Sequence, residues 1–266
     1  MAENKNHSLG GDGKEWTAFW SLADREVRRL LRVWKQTLVP PIITSLLYIL
    51  IFGYSLGSRI TEIGGVSYLS FIFPGLIIMG VISASYANSS ASLYISKFAG
   101  NIQELLVAPI SYMSIIGAIC LSCLVRGVIV ALGTIFIGSF FAGLTISNIF
   151  VIVTVMVLTS LLFGLAGIVT ALWAQSFDQM NVFAVFVVTP LTYLGGVFYS
   201  IDMLPSFWKT VSLFNPIYYI VDAFRYGFLG ISYSPVWISL LVLLGLTTLF
   251  FFWATYLFRI GYNVRS

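Results

Sequence analysis

The sequence predicts an all-α integral membrane protein, and its composition, the spacing of its charges and the placement of its basic residues all support this fold class. Hydrophobic residues make up 59% of the 266 residues, charged residues make up only 9%, and the mean hydropathy is +0.96. A soluble domain has no core large enough for so much apolar surface, so lipid must surround most of the chain. The formal net charge of +4 therefore indicates orientation in a bilayer rather than binding to nucleic acid.

Uncharged stretches divide the chain into six predicted transmembrane helices. A helix that crosses the hydrocarbon needs about 20 predominantly apolar residues and rarely carries an unpaired charge near its centre. The region 127–177 is uncharged and too long for one helix, so we place a turn at 141–147, where glycine, threonine and serine gather. The six predicted spans are residues 38–56, 67–90, 112–136, 149–174, 180–199 and 236–258.

Lysine and arginine residues predict the orientation of these spans. An even number of spans places both termini on the same side of the membrane. The larger basic set falls on that side: Arg25, Arg28, Arg29, Arg32, Lys35, Lys97, Arg259 and Arg265. Only Arg59, Lys209 and Arg225 fall on the other side. The positive-inside rule then predicts a multi-pass membrane protein with both termini and the loop around Lys97 in the cytoplasm.

Three regions follow from this layout: a polar cytoplasmic tail at 1–14, an amphipathic helix at 15–36 and a six-span transmembrane domain at 37–266. In the second region, apolar and aromatic side chains recur at helical spacing and basic side chains occupy the other faces. This pattern is typical of a helix that lies in the cytoplasmic membrane interface. A basic anchor that binds anionic membrane lipids is an alternative, and the two interpretations are compatible.

The cytoplasmic loop between the second and third spans has the pattern of a short capped helix. Asn101 can cap the first turn, Glu104 follows three residues later, and Pro109 can end the helix. Its apolar ridge consists of Ile102, Leu105 and Leu106. We consider two interpretations, an ordinary connector turn and a ridge that docks on a partner.

The stretch 201–230 on the outer side is aromatic and interrupted by prolines, and neither half is long enough to cross a membrane. Pro205 and Pro216 can each open a short helix, which predicts two re-entrant or interfacial helices. Asp222 and Arg225 are three residues apart and can pair on one helix face. This pair either belongs to the transport pathway or only stabilises the helix.

Arg126 lies inside the third predicted span, where a central arginine costs about 2.5–3.5 kcal/mol on insertion scales. It should face protein or water, either in a transport pathway or in a structural contact with carbonyl groups or a neighbouring chain. No catalytic or metal-binding constellation accompanies it, because the single histidine is His7 in the polar tail. Glu15 also stands where a phosphate loop would need serine or threonine after Lys14, so the chain has no ATPase motif of that kind.

With this topology, the sequence resembles the type-2 ABC exporter permeases (the ABC-2 family), especially their YadH-like group, along nearly its whole length. The blocks that carry the resemblance are 33–57 with its Gln-Thr-Leu-Val-Pro-Pro run, 73–75, 101–109, 189–200 and 215–230. The resemblance implies that 15–36 is a connecting helix, that 101–108 is a coupling helix for an ATPase, and that the outer helices are re-entrant.

The resemblance also implies an assembly of two copies of this chain with two separate ATP-binding subunits in the membrane lipid. ATP and Mg would then be bound by the partner subunit and no cofactor by this chain, which would export an amphipathic, lipid-like, drug or glycan substrate. A stand-alone secondary transporter or channel is the main alternative, although acidic or histidine relays inside several spans would be expected for it. A membrane scaffold is the second alternative.

Overall fold

The computed structural model describes residues 11–57, 62–99, 111–143 and 145–263, and these residues are almost entirely helical. The first half contains α1 (Gly11–Arg32), α2 (Trp34–Thr37), α3 (Val39–Leu50) followed by a π-helical segment (Ile51–Leu56), β1 (Glu62–Ile63), β2 (Val66–Ser67), α4 (Tyr68–Phe98) and α5 (Tyr112–Gly138). The second half contains α6 (Ile149–Trp173), α7 (Phe177–Phe183) followed by a π-helical segment (Ala184–Val188), α8 (Thr189–Leu194), a 3₁₀ turn (Ile201–Met203), α9 (Ser206–Leu213), α10 (Pro216–Leu229) and α11 (Val236–Ile260).

Six helical stretches in the described part of the chain are long and apolar enough to cross a membrane, which confirms the predicted all-α membrane fold. Spans 1 to 6 are Trp34–Gly53, Tyr68–Phe98, Tyr112–Gly138, Ile149–Trp173, Phe177–Leu194 and Val236–Ile260. The predicted turn between spans 3 and 4 is also confirmed, because α5 ends at Gly138 and α6 begins at Ile149. Span 5 ends at Leu194, five residues earlier than predicted, and Gly196 beyond it adopts a left-handed φ of 78°.

Spans 2, 3 and 4 form the core of the bundle. The buried share of their most apolar windows is 78%, 61% and 50%, whereas it is 17% in each of spans 1, 5 and 6. The core helices approach closely where small residues meet. A Cβ atom on Gly167 of α6 would lie 2.1 Å from the Ser89 hydroxyl and 2.7 Å from the Tyr86 carbonyl of α4, so only glycine fits there.

Helices α10 and α1, which are not among the six spans, pack at opposite ends of the bundle. Helix α10 contacts the first turn of α4, where Arg225 reaches Phe71, and it contacts the start of α6, where the Gly227 carbonyl accepts a hydrogen bond from the Asn148 amide. Helix α1 contacts the last turns of α4, where Glu26 meets Ser92, and also contacts α5. We call these the α10 end and the α1 end.

Both predicted helices of the outer stretch are present, α9 after Pro205 and α10 beginning at Pro216. Helix α10 has 14 residues, about 21 Å at 1.5 Å per residue, which is shorter than a hydrocarbon core of about 30 Å. Two features were not predicted. Helix α1 begins at Gly11 rather than at residue 15, and a small antiparallel hairpin of β1 and β2 precedes span 2.

Candidate functional site

The predicted coupling residues Asn101, Ile102, Glu104, Leu105 and Leu106 lie outside the described residues, so their helix stays a prediction. The helices that flank them do define where this loop leaves the bundle. Helix α4 ends at Phe98 and α5 begins at Tyr112, both at the α1 end. The Lys97 Nζ atom donates hydrogen bonds to the carbonyls of Leu172 and Ala174, at 3.5 Å and 3.1 Å. The loop therefore starts beside the contact between the ends of α4 and α6.

Arg126 lies on α5 with 7% of its surface exposed, and its side chain reaches the junction between α2 and α3. Its Nη2 atom donates a hydrogen bond to the Thr37 carbonyl at 2.8 Å. In a continuous helix that carbonyl would accept the N–H of residue 41, but residue 41 is a proline and has none. Arg126 thus occupies an acceptor that Pro41 leaves free. This is the carbonyl contact that one of the two interpretations of Arg126 expected.

Glu26 is a buried charged residue that the sequence analysis missed. It is 4% exposed on α1, its carboxylate lies 3.4 Å from Arg25 and 3.1 Å from Arg29, and it accepts a hydrogen bond from the Ser92 hydroxyl of α4. A signal was available in the sequence. Glu26 follows Ala23 by three residues and precedes Leu30 by four, and both of these residues are buried, so Glu26 occupies the same helix face.

A line of buried polar side chains continues from Glu26 between α4 and α5. The Asn88 Nδ2 atom donates to the Ser122 hydroxyl at 2.7 Å and lies 3.5 Å from the Cys123 sulfur. The Ser85 hydroxyl donates to the Cys123 carbonyl at 3.5 Å. We call this line the polar seam; its members are Glu26, Ser85, Asn88, Ser92 and Ser122. Hydrogen bonds between helices in an apolar bundle fix the axial position of one helix against another, because an unpaired polar group there is costly.

Asp222 and Arg225 of α10 are both buried, but the structure gives them separate partners. The Asp222 carboxylate accepts the backbone N–H groups of Tyr233 at 3.0 Å and Ser234 at 2.9 Å. Arg225 donates to the carbonyls of Phe71 at 3.3 Å and Gly196 at 2.7 Å. No ion pair within the described residues joins Asp222 to Arg225, so the direct pairing considered from their spacing is not observed. Asp222 thus satisfies two N–H groups of the turn before α11, whereas Arg225 bonds a turn carbonyl at Gly196 and a helical carbonyl at Phe71.

Burial affects the ionisation of both residues of α10. It raises the pKa of the Asp222 carboxyl above its ordinary value, an effect that the two backbone N–H donors oppose. Burial lowers the pKa of the Arg225 guanidinium to about 10, an effect that the nearby Asp222 carboxylate opposes. The guanidinium carbon also lies 3.8 Å from the centre of the Phe71 ring, a cation–π contact. Arg225 therefore joins α10 to the start of span 2 and to the end of span 5.

Spans 1 and 5 meet through an aromatic contact near the α10 end. The hydroxyls of Tyr48 and Tyr193 share a hydrogen bond of 2.8 Å, and the ring centre of Phe52 lies 4.6 Å from that of Phe198, which follows span 5. Both spans contain a π-helical segment, a geometry that is frequent at functional sites. Tyr193 is 42% exposed, so this contact reaches the surface of the bundle.

A comparison with known protein families decides what kind of membrane protein this is. The model of the ABC-2 type transporter family matches residues 17–229, which include most of α1, spans 1 to 5 and α10. The chain belongs to the ABC-2 type transporter family. It is therefore a membrane subunit of an ABC transporter, in agreement with the resemblance found in the sequence.

Similar proteins match the ABC-2 chain over most of their length. The inner membrane transport permease YadH of Escherichia coli strain K12 is 43% identical over 251 residues, which are 94% of this chain and 98% of that permease. Nodulation protein J of Rhizobium meliloti strain 1021 is 28% identical over 232 residues, which are 84% of each chain. Nodulation protein J of Rhizobium leguminosarum bv. trifolii is 26% identical over 238 residues, 86% of this chain and 87% of that protein.

Proposed function

We propose that this chain is the permease subunit of an ABC exporter in the cell inner membrane, driven by a separate ATP-binding subunit that holds ATP and Mg. The observation that carries the proposal is the ABC-2 family match from α1 to α10, together with the nearly full-length similarity to an inner membrane transport permease. Both termini and the α1 end would face the cytoplasm, as the basic residues predict. The substrate would be amphipathic, lipid-like, a drug or a glycan.

Helix α4 gives this proposal a physical route from the ATPase to the pathway. Its last turns contact α1 through Ser92 and Glu26 and lead directly into the loop of the predicted coupling helix. Its first turn contacts α10 through Phe71 and Arg225. A push on the loop would therefore act on one continuous helix that reaches both ends. Nucleotide can drive transport only if the loop makes different contacts in the two states of the ATPase.

A second copy of this chain would pack against spans 1 and 5. These spans are little buried within one copy, and their exposed surface carries polar side chains beside apolar ones: Thr44 of span 1 and Asn181, Thr189 and Tyr193 of span 5. Polar residues on a membrane helix tend to face protein or a water-filled cavity rather than lipid. The pathway would then run between the two copies, beside the Tyr48–Tyr193 contact.

The experiment that tests the proposal is affinity copurification of the full chain in mild detergent, followed by an ATPase assay of the proteins that accompany it. We expect an ATP-binding subunit whose hydrolysis is needed for substrate movement in reconstituted vesicles. A chain that purifies alone and moves substrate without nucleotide would support a stand-alone transporter or channel instead. A chain that retains partners but shows no substrate-stimulated turnover would support a scaffold.

A further inference from the structure

A basic groove of about 320 Å³ lies between α1 and the last turns of α4. Four arginines of α1 line one wall, and two serines of α4 line the other: Arg25, Arg28, Arg29, Arg32, Ser92 and Ser96. The concave shape allows several guanidinium groups to approach one small ligand from different directions. None of these arginines belongs to the polar contacts of α10 or to the aromatic contact of spans 1 and 5.

The positive charge of the groove is only partly neutralised by the protein. Glu26 pairs with Arg25 and Arg29, and Asp24 pairs with Arg28 at 2.7 Å. Two carboxylates thus stand against four arginines, and Arg32 belongs to no ion pair in the described part of the chain. The Arg29 Nε atom is buried and has no hydrogen-bond partner among the described residues. The groove therefore carries unmatched positive charge, and one nitrogen in its wall, Arg29 Nε, has no partner within the described residues.

The position of the groove on α1 favours a ligand at the membrane surface. At 100° per residue, the arginines occupy one face of the helix, whereas the exposed Trp16, Trp20 and Leu31 occupy another. Tryptophan on an amphipathic helix is favoured at the level of lipid headgroups. The arginine face would then lie beside the phosphate layer, and guanidinium groups bind phosphate oxygens in a bidentate geometry.

We propose that this groove binds a phosphate group, carried either by an anionic membrane phospholipid or by a free phosphorylated solute, and that the bound anion helps to hold α1 against α4. The proposal goes beyond the proposed function and requires neither the ATP-binding subunit nor a transport direction. Failure of the phosphate-binding proposal would therefore leave the exporter assignment intact. Failure of the exporter assignment would likewise leave the phosphate-binding proposal intact.

Native mass spectrometry of the full chain in mild detergent tests this proposal with added phosphatidylglycerol or phosphatidylcholine. We expect preferential retention of phosphatidylglycerol. Arg32→Gln should weaken that binding about fivefold and the double variant Arg28→Gln/Arg32→Gln about 25-fold, because each basic residue near anionic lipid contributes a factor of about five. Both substitutions are at exposed positions and leave the contacts of Glu26 in place. Arg259→Gln on α11 removes an equal charge away from the groove and should change nothing.

The second arm uses calorimetric titration with inorganic phosphate in phosphatidylcholine nanodiscs. Arginine-dependent phosphate binding there would identify a free solute as a source, whereas arginine-dependent binding of phosphatidylglycerol alone would identify the lipid. Equal retention of both lipids together with no phosphate binding would overturn the proposal. It would also be overturned if the double variant, still monodisperse in gel filtration, lost the ATP-binding subunit but kept its anion affinity. The surface would then belong to a protein partner.

Discussion

The Arg126 guanidinium of α5 donates a hydrogen bond to the Thr37 carbonyl over 2.8 Å, and Thr37 is four residues before Pro41. A proline at that position removes the N–H that the carbonyl would otherwise accept. The arginine and the proline are thus complementary although 85 residues of chain separate them. The charged side chain of Arg126, on a neighbouring span, therefore bonds the backbone at the break between α2 and α3.

This relationship predicts a coupling between residues 126 and 41. Arg126→Met leaves the Thr37 carbonyl without a donor, and we expect the free energy of unfolding to fall by about 1–3 kcal/mol. Pro41→Ala restores a backbone N–H that can reach the same carbonyl, so it should recover part of the loss in the Arg126→Met background. Denaturant titration of all four proteins in a double-mutant cycle measures the coupling. Strictly additive effects would show that Arg126 acts elsewhere, for example in the pathway.

Glu26 should be the residue that holds α1 on the bundle. Glu26→Leu removes the carboxylate that Arg29 and Ser92 contact, and we expect a loss of about 1–3 kcal/mol. This is less than the 3–5 kcal/mol of a fully buried pair, because the Arg29 side chain is one-third exposed. Limited proteolysis and thermal unfolding measure the effect. Asp24→Asn on the same helix breaks a fully exposed pair with Arg28 and should leave the stability nearly unchanged. Equal losses in the two variants would contradict this role.

Replacement of Arg225 by lysine should destabilise the chain, although lysine carries the same charge as arginine. Its Nε and Nη2 atoms donate to carbonyls of two different elements, and an ammonium group cannot reproduce this planar fork. We expect Arg225→Lys to lower the free energy of unfolding by about 1–3 kcal/mol. Lys209→Gln, which breaks the exposed pair with Asp202, is the control and should cost at most about 1 kcal/mol. A stability of Arg225→Lys close to that of the unmodified chain would refute the bridging role.

Variants of the 101–108 loop test the predicted coupling helix. Glu104→Lys or Leu105→Asp should separate ATP hydrolysis from substrate movement, because the ridge can no longer transmit the state of the ATPase. The chain should still insert and assemble, since the loop lies outside the spans. Paired ATPase and transport assays in vesicles measure the ratio of the two rates. Unchanged export by correctly assembled variants would mean that the loop is an ordinary connector.

The Tyr48–Tyr193 hydrogen bond gives a separate test of the proposed pathway. Tyr193→Phe removes one hydroxyl and should cost only about 0.5–1.5 kcal/mol of stability, yet it should change the transport rate if spans 1 and 5 rearrange during transport. Tyr256→Phe is the matched control, because Tyr256 is also exposed but lies on α11, away from the contact. Equal transport by both variants would place the pathway elsewhere.

The predictions made from sequence succeeded for features that depend only on the residues of one segment. Six spans, the turn between the third and fourth, and two short outer helices follow from the length and composition of each segment, because transfer into hydrocarbon depends on that segment alone. The bounds of α1, of span 2 and of span 5 were less accurate, and span 2 continues to Phe98, eight residues past its predicted end. Helix ends depend on capping and on the conformations of glycine residues such as Gly196.

By itself, the sequence determined the fold class, the number of spans and which residues are too costly to face lipid. The tertiary structure decided what those residues contact. Arg126 bonds the Thr37 carbonyl, Glu26 bonds Ser92, and Asp222 and Arg225 bond separate backbone groups rather than each other. Some of these partners depend on which backbone groups a helix break or a turn leaves free, as at Thr37 and Gly196. They also depend on which helices bring a donor within about 3 Å, and only the packed bundle determines both.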